Sequence, residues 1–133
     1  MKTTCKICFH HCSLDEAQTG FCGARTNIHN QIICSNYGKL TAIALDPIEK
    51  KPLKRFYPGS HILSVGSYGC NLHCPFCQNS DISQAYKNRV HITEVSPEDL
   101  IKEALALRSQ GNIGIAYTYN EPFISYELSL IHI

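Results

Sequence analysis

The stretch His61-Ile62-Leu63-Ser64-Val65-Gly66-Ser67-Tyr68-Gly69-Cys70-Asn71-Leu72-His73-Cys74-Pro75-Phe76-Cys77 decides the fold. Its opening run, His61–Ser67, is short and rich in β-favouring residues, and it predicts a buried strand that delivers its end to a loop. The loop carries cysteines spaced C-x3-C-x2-C. Downstream, Ser96-Pro97-Glu98-Asp99 reads as a helix start, with Ser96 as N-cap, Pro97 in the first helical position and acids in the first turn. Leu100, Ile101, Ala104, Leu105 and Leu107 continue at helical spacing, and Gly111 is placed to end the helix. Ile113–Tyr119 is a second β-rich run, followed by Asn120-Glu121-Pro122. Strand, loop, helix and strand make a βαβ unit, which pairs its strands in parallel through a right-handed crossover. Ligands in such folds gather at the carboxyl ends of the strands, where both the cysteine loop and Asn120-Glu121-Pro122 fall.

Upstream the pattern is different. Residues 1–30 are rich in Cys, His, Asn and Gly without sustained period and read as a loop-rich knuckle. Gln31–Ser35 and Leu40–Leu45 flank a turn at Asn36-Tyr37-Gly38-Lys39 and predict a hairpin. Asp46–Gly59, broken by Pro47, Pro52 and Pro58, reads as an extended connector. The chain has 133 residues, 44% of them hydrophobic, which suits a globular protein and not a disordered one. With 12 Lys+Arg against 11 Asp+Glu its net charge is +1, which argues against nucleic-acid binding. No apolar run is long enough for a membrane span, and the N-terminus has no apolar secretory core. The expected location is therefore cytoplasmic. Eight cysteines in a reducing compartment point to metal ligation or redox chemistry over a disulfide framework.

Cys70, Cys74 and Cys77 are too close to serve separate centres. Structural zinc wants four protein ligands, and this loop supplies three. His73 could be a fourth, although it adjoins Cys74, and neighbouring residues reach one ion only with strain. A [4Fe–4S] cluster held by three cysteines keeps one iron open, and that vacancy favours the iron–sulfur reading. Cys5, Cys8, Cys12 and Cys22, spaced C-x2-C-x3-C-x9-C, can close a second site with zinc or a second Fe–S cluster. A closed shell there suits a structural or electron-relay role; His10 and His11 are possible substitute ligands. Cys34, in an apolar run, reads as a buried hydrophobe.

The loop resembles the C-x3-C-x-aromatic-C signature of radical SAM enzymes. Asp46–Leu53, Phe56–Ser60, Ser64-Val65-Gly66, Gly69-Cys70-Asn71, Cys77-Gln78-Asn79 and Ala116–Pro122 are similar to the AmmeMemoRadiSam system branch, which is related to the pyruvate formate-lyase activating enzymes. The similarity runs over residues 5–127; Lys54-Arg55 depart from it, standing where an aromatic and a histidine are expected. The resemblance implies an α/β fold in which a Cys-rich knuckle with a short hairpin (residues 1–58) precedes the first βαβ portion of a partial (βα) barrel (59–133). It implies that Cys70, Cys74 and Cys77 ligate a [4Fe–4S] cluster whose open iron chelates S-adenosylmethionine (SAM). Reductive cleavage then yields a 5′-deoxyadenosyl radical that abstracts hydrogen from a substrate. Phe76 would pack near the adenine, or else be a core aromatic; Asn120 and Glu121 would bind the cofactor's ammonium. The alternative for those two is a helix start with Asn120 as N-cap and Pro122 just inside.

The implied partners are an electron donor such as a flavodoxin or ferredoxin, and AMMECR-like and Memo-like proteins. Two other functions remain open: a glycyl-radical activating enzyme, or a non-catalytic zinc module. Lys50, Lys51, Lys54 and Arg55 could meet an anionic substrate group, but a solvated connector fits Lys54 and Arg55 better, and Asp46–Leu53 reads as structural. A whole eightfold barrel takes about 250 residues, so the chain reads as the N-terminal portion of one and is expected to be inactive alone. Its second strand should be left as an edge through Ile113, Ile115 and Tyr117. Leu128–Ile133 does not look like the family's continuation and reads as a foreign tail.

Overall fold

The computed structural model describes residues 1–85 and 89–131. A four-stranded mixed sheet organises it, in the order β7-β5-β6-β8. Its strands are β5 (Lys39–Pro47), β6 (His61–Ser67), β7 (Thr93–Glu94) and β8 (Asn112–Tyr117). The decisive stretch is the strand it promised: β6 runs parallel to β8, with Leu63 opposite Ile115 and Val65 opposite Tyr117. Between them lie α1 (Ser80–Ser83) and α2 (Pro97–Ala106). The α2 signals act as read. Ser96 caps the helix through Asp99 N, Pro97 stands in the first turn, and Gly111 ends the following 3-10 turn, Leu107–Gln110, at φ 84°.

Residues paired across strands share a face. One face of the sheet buries Leu40, Leu63 and Val65 against Leu100 of α2 and Leu128 of α3 (Tyr126–Leu130). Side chains of this size contribute roughly 1.5–3 kcal/mol each when fully buried. Leu128 is 3% exposed, so the start of the stretch that read as a foreign tail is built into this core. Residues 132 and 133 lie outside the described residues. The other face carries the paired set Ala44, Ser64, Ala116, Asp46 and Ile62. Among the described residues β8 is the last strand of the sheet and Ile113 is exposed, in line with the edge expected at the second strand.

The hairpin expected between Gln31–Ser35 and Leu40–Leu45 does not form. β4 (Gln31–Cys34) turns back onto β3 (Arg25–Ile28), and β5 pairs with β6 and β7 instead. Turn chemistry explains the switch. His29 and Asn30 both take positive φ, 51° and 61°, the geometry whose twist matches a two-residue hairpin. The Asn36–Lys39 turn serves tertiary contacts: the Asn36 amide donates to Ser67 Oγ and to the Tyr68 carbonyl, each at 2.9 Å. The connector also begins later than expected, because β5 continues to Pro47. A 3-10 turn, Ile48–Lys50, follows it.

Ahead of the sheet sits the N-terminal knuckle, in which β1 (Thr3–Thr4) pairs with β2 (Ser13–Leu14). An ion pair helps to tie it to the rest of the fold. Arg25, 2% exposed, donates Nε to the Ile124 carbonyl (2.6 Å) and both terminal nitrogens to the Glu127 carboxylate (2.5 and 2.6 Å).

Candidate metal centre

The cysteine loop leaves the end of β6 through Tyr68 and Gly69. Tyr68 is buried, and its hydroxyl donates to the Ser35 carbonyl (2.7 Å), pinning the strand end. Gly69 has φ 88°, and a Cβ there would stand 2.6 Å from the Cys22 carbonyl oxygen and 2.9 Å from Ala24 Cβ. Only glycine lets the loop pass so close to the knuckle. Cys70 N then donates to the Cys22 carbonyl at 3.0 Å. The two cysteine clusters, distant in sequence, thus meet backbone to backbone.

Within the loop, Cys70 is buried while Cys74 and Cys77 are half-buried. Cys77 N donates to the Cys74 carbonyl (3.1 Å), closing a turn, and Gln84 Nε2 reaches the same carbonyl at 3.4 Å. The Cys77 thiol lies 3.7 Å from the Ser83 hydroxyl. Phe76 is 83% exposed, which rules out the core-aromatic reading. As the side chains stand, no three His, Cys, Asp or Glu among the described residues converge closely enough to hold a metal ion.

Asn120 and Glu121 follow β8 at the same end of the parallel pair. Asn120 Oδ1 accepts from Ser67 N (3.2 Å), while Nδ2 donates to Ser67 Oγ (3.1 Å) and the Gly69 carbonyl (2.9 Å). Its amide therefore clamps the two strand ends together and supports the loop. The N-cap of the following 3-10 turn, Pro122–Ser125, is Glu121 and not Asn120: Glu121 Oε1 accepts from Phe123 N at 3.1 Å. Glu121 also lines a cleft of about 470 Å³ with Cys8, His11, Asn71, Leu72 and Phe123. A larger cavity, about 690 Å³, includes Phe56, Asn112 and Ile113 at the far end of the strands.

Asn71 is 5% exposed, and its Oδ1 is buried without a hydrogen-bond partner among the described residues. An unsatisfied buried acceptor costs about 1–3 kcal/mol, so this one, beside Cys70, fits a site awaiting a donor. The Asn71 carbonyl accepts from His10 Nε2 at 2.9 Å. His10 stacks on Phe21 and Phe21 on His73, with ring centroids 4.2 and 4.4 Å apart. From the sequence His10 reads as a substitute ligand or, as is commoner beside such knuckles, a surface or supporting residue, and Asn36 as a turn residue. Their work here is tertiary, which local pattern does not reveal.

In the knuckle, Cys5 N donates to the Cys12 carbonyl (2.8 Å) and His11 N to the Cys8 carbonyl (3.2 Å). Phe21 N is directed at Cys12 Sγ (3.5 Å), and a Cβ on Gly20 would sit 3.4 Å from that sulfur. Burial raises the Cys22 thiol's pKa; the N–H groups of Ala24 and Arg25 oppose this, and neighbouring Cys5 and Cys8 push it further up. All four cysteines thus belong to one small neighbourhood. Cys34 is only half-buried; its thiol donates to Asn36 Oδ1 at 3.1 Å.

Lys50 and Lys51 are committed to Asp46, at 2.8 and 3.2 Å, and Tyr119 OH donates to the same carboxylate at 2.8 Å. Burial works to raise the Asp46 pKa, but these bonds outweigh it and hold the carboxyl well below the usual range. The Asp46 stretch is structural, as read. Lys54 and Arg55 are exposed.

Residues 64–133 match the family model described as the Radical SAM superfamily. Among curated proteins, "Uncharacterized protein MJ0808" of Methanocaldococcus jannaschii is 41% identical over 126 residues, which is 95% of this chain and 37% of that protein. The chain therefore spans little more than a third of the length of that curated relative. No solved structure matches it. No helix among the described residues is long and apolar enough to cross a membrane.

Proposed function

The chain belongs to the radical SAM superfamily, and on that premise we propose that Cys70, Cys74 and Cys77 hold three irons of a [4Fe–4S] cluster, leaving the fourth for S-adenosylmethionine. One observation carries the reading. The three-cysteine loop and Glu121 emerge at the same end of a parallel strand pair, clamped together by Asn120 through Ser67 and Gly69. When bound and reduced by an external one-electron donor, the cluster and SAM would supply the radical chemistry that takes hydrogen from a substrate. The chain's own part is to bind and orient. The Cys74–Cys77 turn carries two of the three thiols, and each of the three would lose its proton on ligation. The Glu121 carboxylate, bordering the cleft beside Asn71, meets the ammonium of the cofactor. Asn120 acts on that group only by fixing the strand ends, since its amide is already engaged. Exposed Phe76 is available to stack on the adenine.

Within the superfamily, the chain is read as part of an AmmeMemoRadiSam-type enzyme, working in the cytoplasm with a flavodoxin or ferredoxin as electron donor. AMMECR-like and Memo-like proteins are its proposed associates. Anaerobic reconstitution with iron and sulfide tests the core of this reading. The expected product is brown and absorbs broadly near about 400 nm from thiolate-to-iron charge transfer, and Cys74→Ala abolishes the colour. Stoichiometric zinc, with no iron held by Cys70, Cys74 and Cys77, would instead establish a zinc module.

A further inference from the structure

We propose that Cys5, Cys8, Cys12 and Cys22 bind one closed metal centre through four thiolates, and that this centre fixes the position of the Cys70 loop. The second half rests on the reading of that loop given above; the first half does not. The knuckle has little apolar interior of its own. Its strands β1 and β2 are two residues each, and its buried apolar side chains up to residue 24 are Cys5, Leu14, Cys22 and Ala24. The large apolar groups that could have built a core face outward: Phe9 is 67% exposed and Phe21 50%. A unit this small needs a staple, and thiols are the interior it has.

The local geometry suits sulfur anions. Phe21 N points at Cys12 Sγ, and Gly20 leaves room beside the Cys12 sulfur. The thiols as placed do not converge on one point. Binding therefore turns them inward with release of their protons, the coupling of metal to folding that small thiolate sites display. Four ligands leave no open position, so the centre is structural. Its structural reach is the Cys70 loop. Cys22 accepts the Cys70 N–H (3.0 Å), Gly69 rides against Cys22 and Ala24, and His10, two residues from Cys8 and Cys12, holds the Asn71 carbonyl (2.9 Å).

The test uses the full chain, purified anaerobically. The variant carrying Cys70→Ala, Cys74→Ala and Cys77→Ala together keeps about one metal centre per chain, by elemental analysis. Adding Cys8→Ala removes it, adding Cys34→Ala does not, and adding Cys12→His, which retains a ligand, preserves it. Colourless zinc and iron with sulfide both support the site, and absorption tells them apart. No metal in the triple variant overturns it, as does equal loss from Cys34→Ala.

For the positioning role, chymotrypsin cutting at Leu72 and Phe76 is compared between the native chain and the Cys8→Ala chain. Cleavage about tenfold faster in Cys8→Ala, by loss of local protection, with native-like rates in Cys12→His, supports it. Unchanged cleavage of Cys8→Ala refutes it. An empty knuckle with iron on the Cys70 loop sinks this inference and leaves the proposed function standing. A filled knuckle beside a loop that never takes iron does the reverse.

Discussion

Glu127→Ala should cost this chain more than its half-exposed position on α3 suggests. The substitution removes two charge-assisted bonds, at 2.5 and 2.6 Å, from an Arg25 guanidinium that is 2% exposed. Arg25 would keep the Ile124 carbonyl and the ring of Tyr126, 5.5 Å away, but no counter-charge. Breaking a buried pair on one side costs about 3–5 kcal/mol. The Glu127 side chain is 37% exposed, and water can reach the vacated space, so the lower end applies: about 3 kcal/mol. Urea unfolding followed by circular dichroism reads this directly. With a slope of about 2 kcal/mol per molar, typical of small proteins, the midpoint falls by roughly 1.5 M. Arg25→Met combined with Glu127→Leu should recover most of the loss, because no charge is then stranded.

The same pair gives a pH signature. Burial acts to raise the Glu127 pKa, and the Arg25 bonds overcome it, so the folded value lies below the ordinary 4.5. A depressed carboxyl contributes its stability in full above the unfolded pKa and loses it as pH falls through the folded one. Glu127→Ala should therefore flatten the acid limb of the stability profile below pH about 4.5. A midpoint within about 0.2 M of the native chain, with an unchanged slope, would show that this pair does not help to tie the knuckle to the rest of the fold.

Gly69→Ala places a Cβ 2.6 Å from a backbone oxygen at φ 88°, with no flexible side chain to yield. A loss of about 3 kcal/mol in urea, with reduced iron uptake on reconstitution, is expected; a stability equal to the native chain's would mean that knuckle and loop do not touch. Asp46→Asn strands Lys51 and weakens the bond from Tyr119, and thermal unfolding should register a loss of about 3 kcal/mol. Because the Asp46 carboxyl sits far below its usual value, that loss persists down to strongly acidic pH and fades only there. Cys34, pushed from 9.0 to about 11 chiefly by burial, should alkylate about 100-fold more slowly than an ordinary thiol near neutral pH. Iodoacetamide labelling read by peptide mass spectrometry measures it, and labelling as fast as a model thiol contradicts the burial argument.

Local signals carried much of the fold. Ser96, Pro97 and Gly111 mark α2 because capping is a property of adjacent residues; the run around Leu63 announces a buried strand by composition, and the helix between it and Ile113–Tyr119 announces their parallel pairing. The strand partner of Gln31–Cys34 was not legible, since no glycine flags the His29-Asn30 turn and the apolar runs on either side of Asn36 look equally able to pair. At the site, the cysteine spacing was legible as a resemblance to the superfamily that residues 64–133 match. The Asn120 amide was harder: an Asn before Glu-Pro reads as a cap or a ligand, and its engagement with Ser67 and Gly69 depends on how two distant strand ends meet. Arg25 and Glu127 lie 102 positions apart, and nothing in either neighbourhood points to the other.

The antiparallel seat of β5 beside β6 dictates how this sheet can grow. In a closed ring of strands, the last member would have to hydrogen-bond to the free flank of the first parallel strand. Here that flank of β6 is taken along its length by Ala42–Pro47, and β7 caps β5 in turn. Both hydrogen-bonding flanks of β6 are therefore occupied, one by β5 and the other by β8, and β6 can accept no further strand. Among the described residues the antiparallel β5 is thus a built-in seam beside the strand that ends in the cysteine loop, and no ring of strands could close through β6.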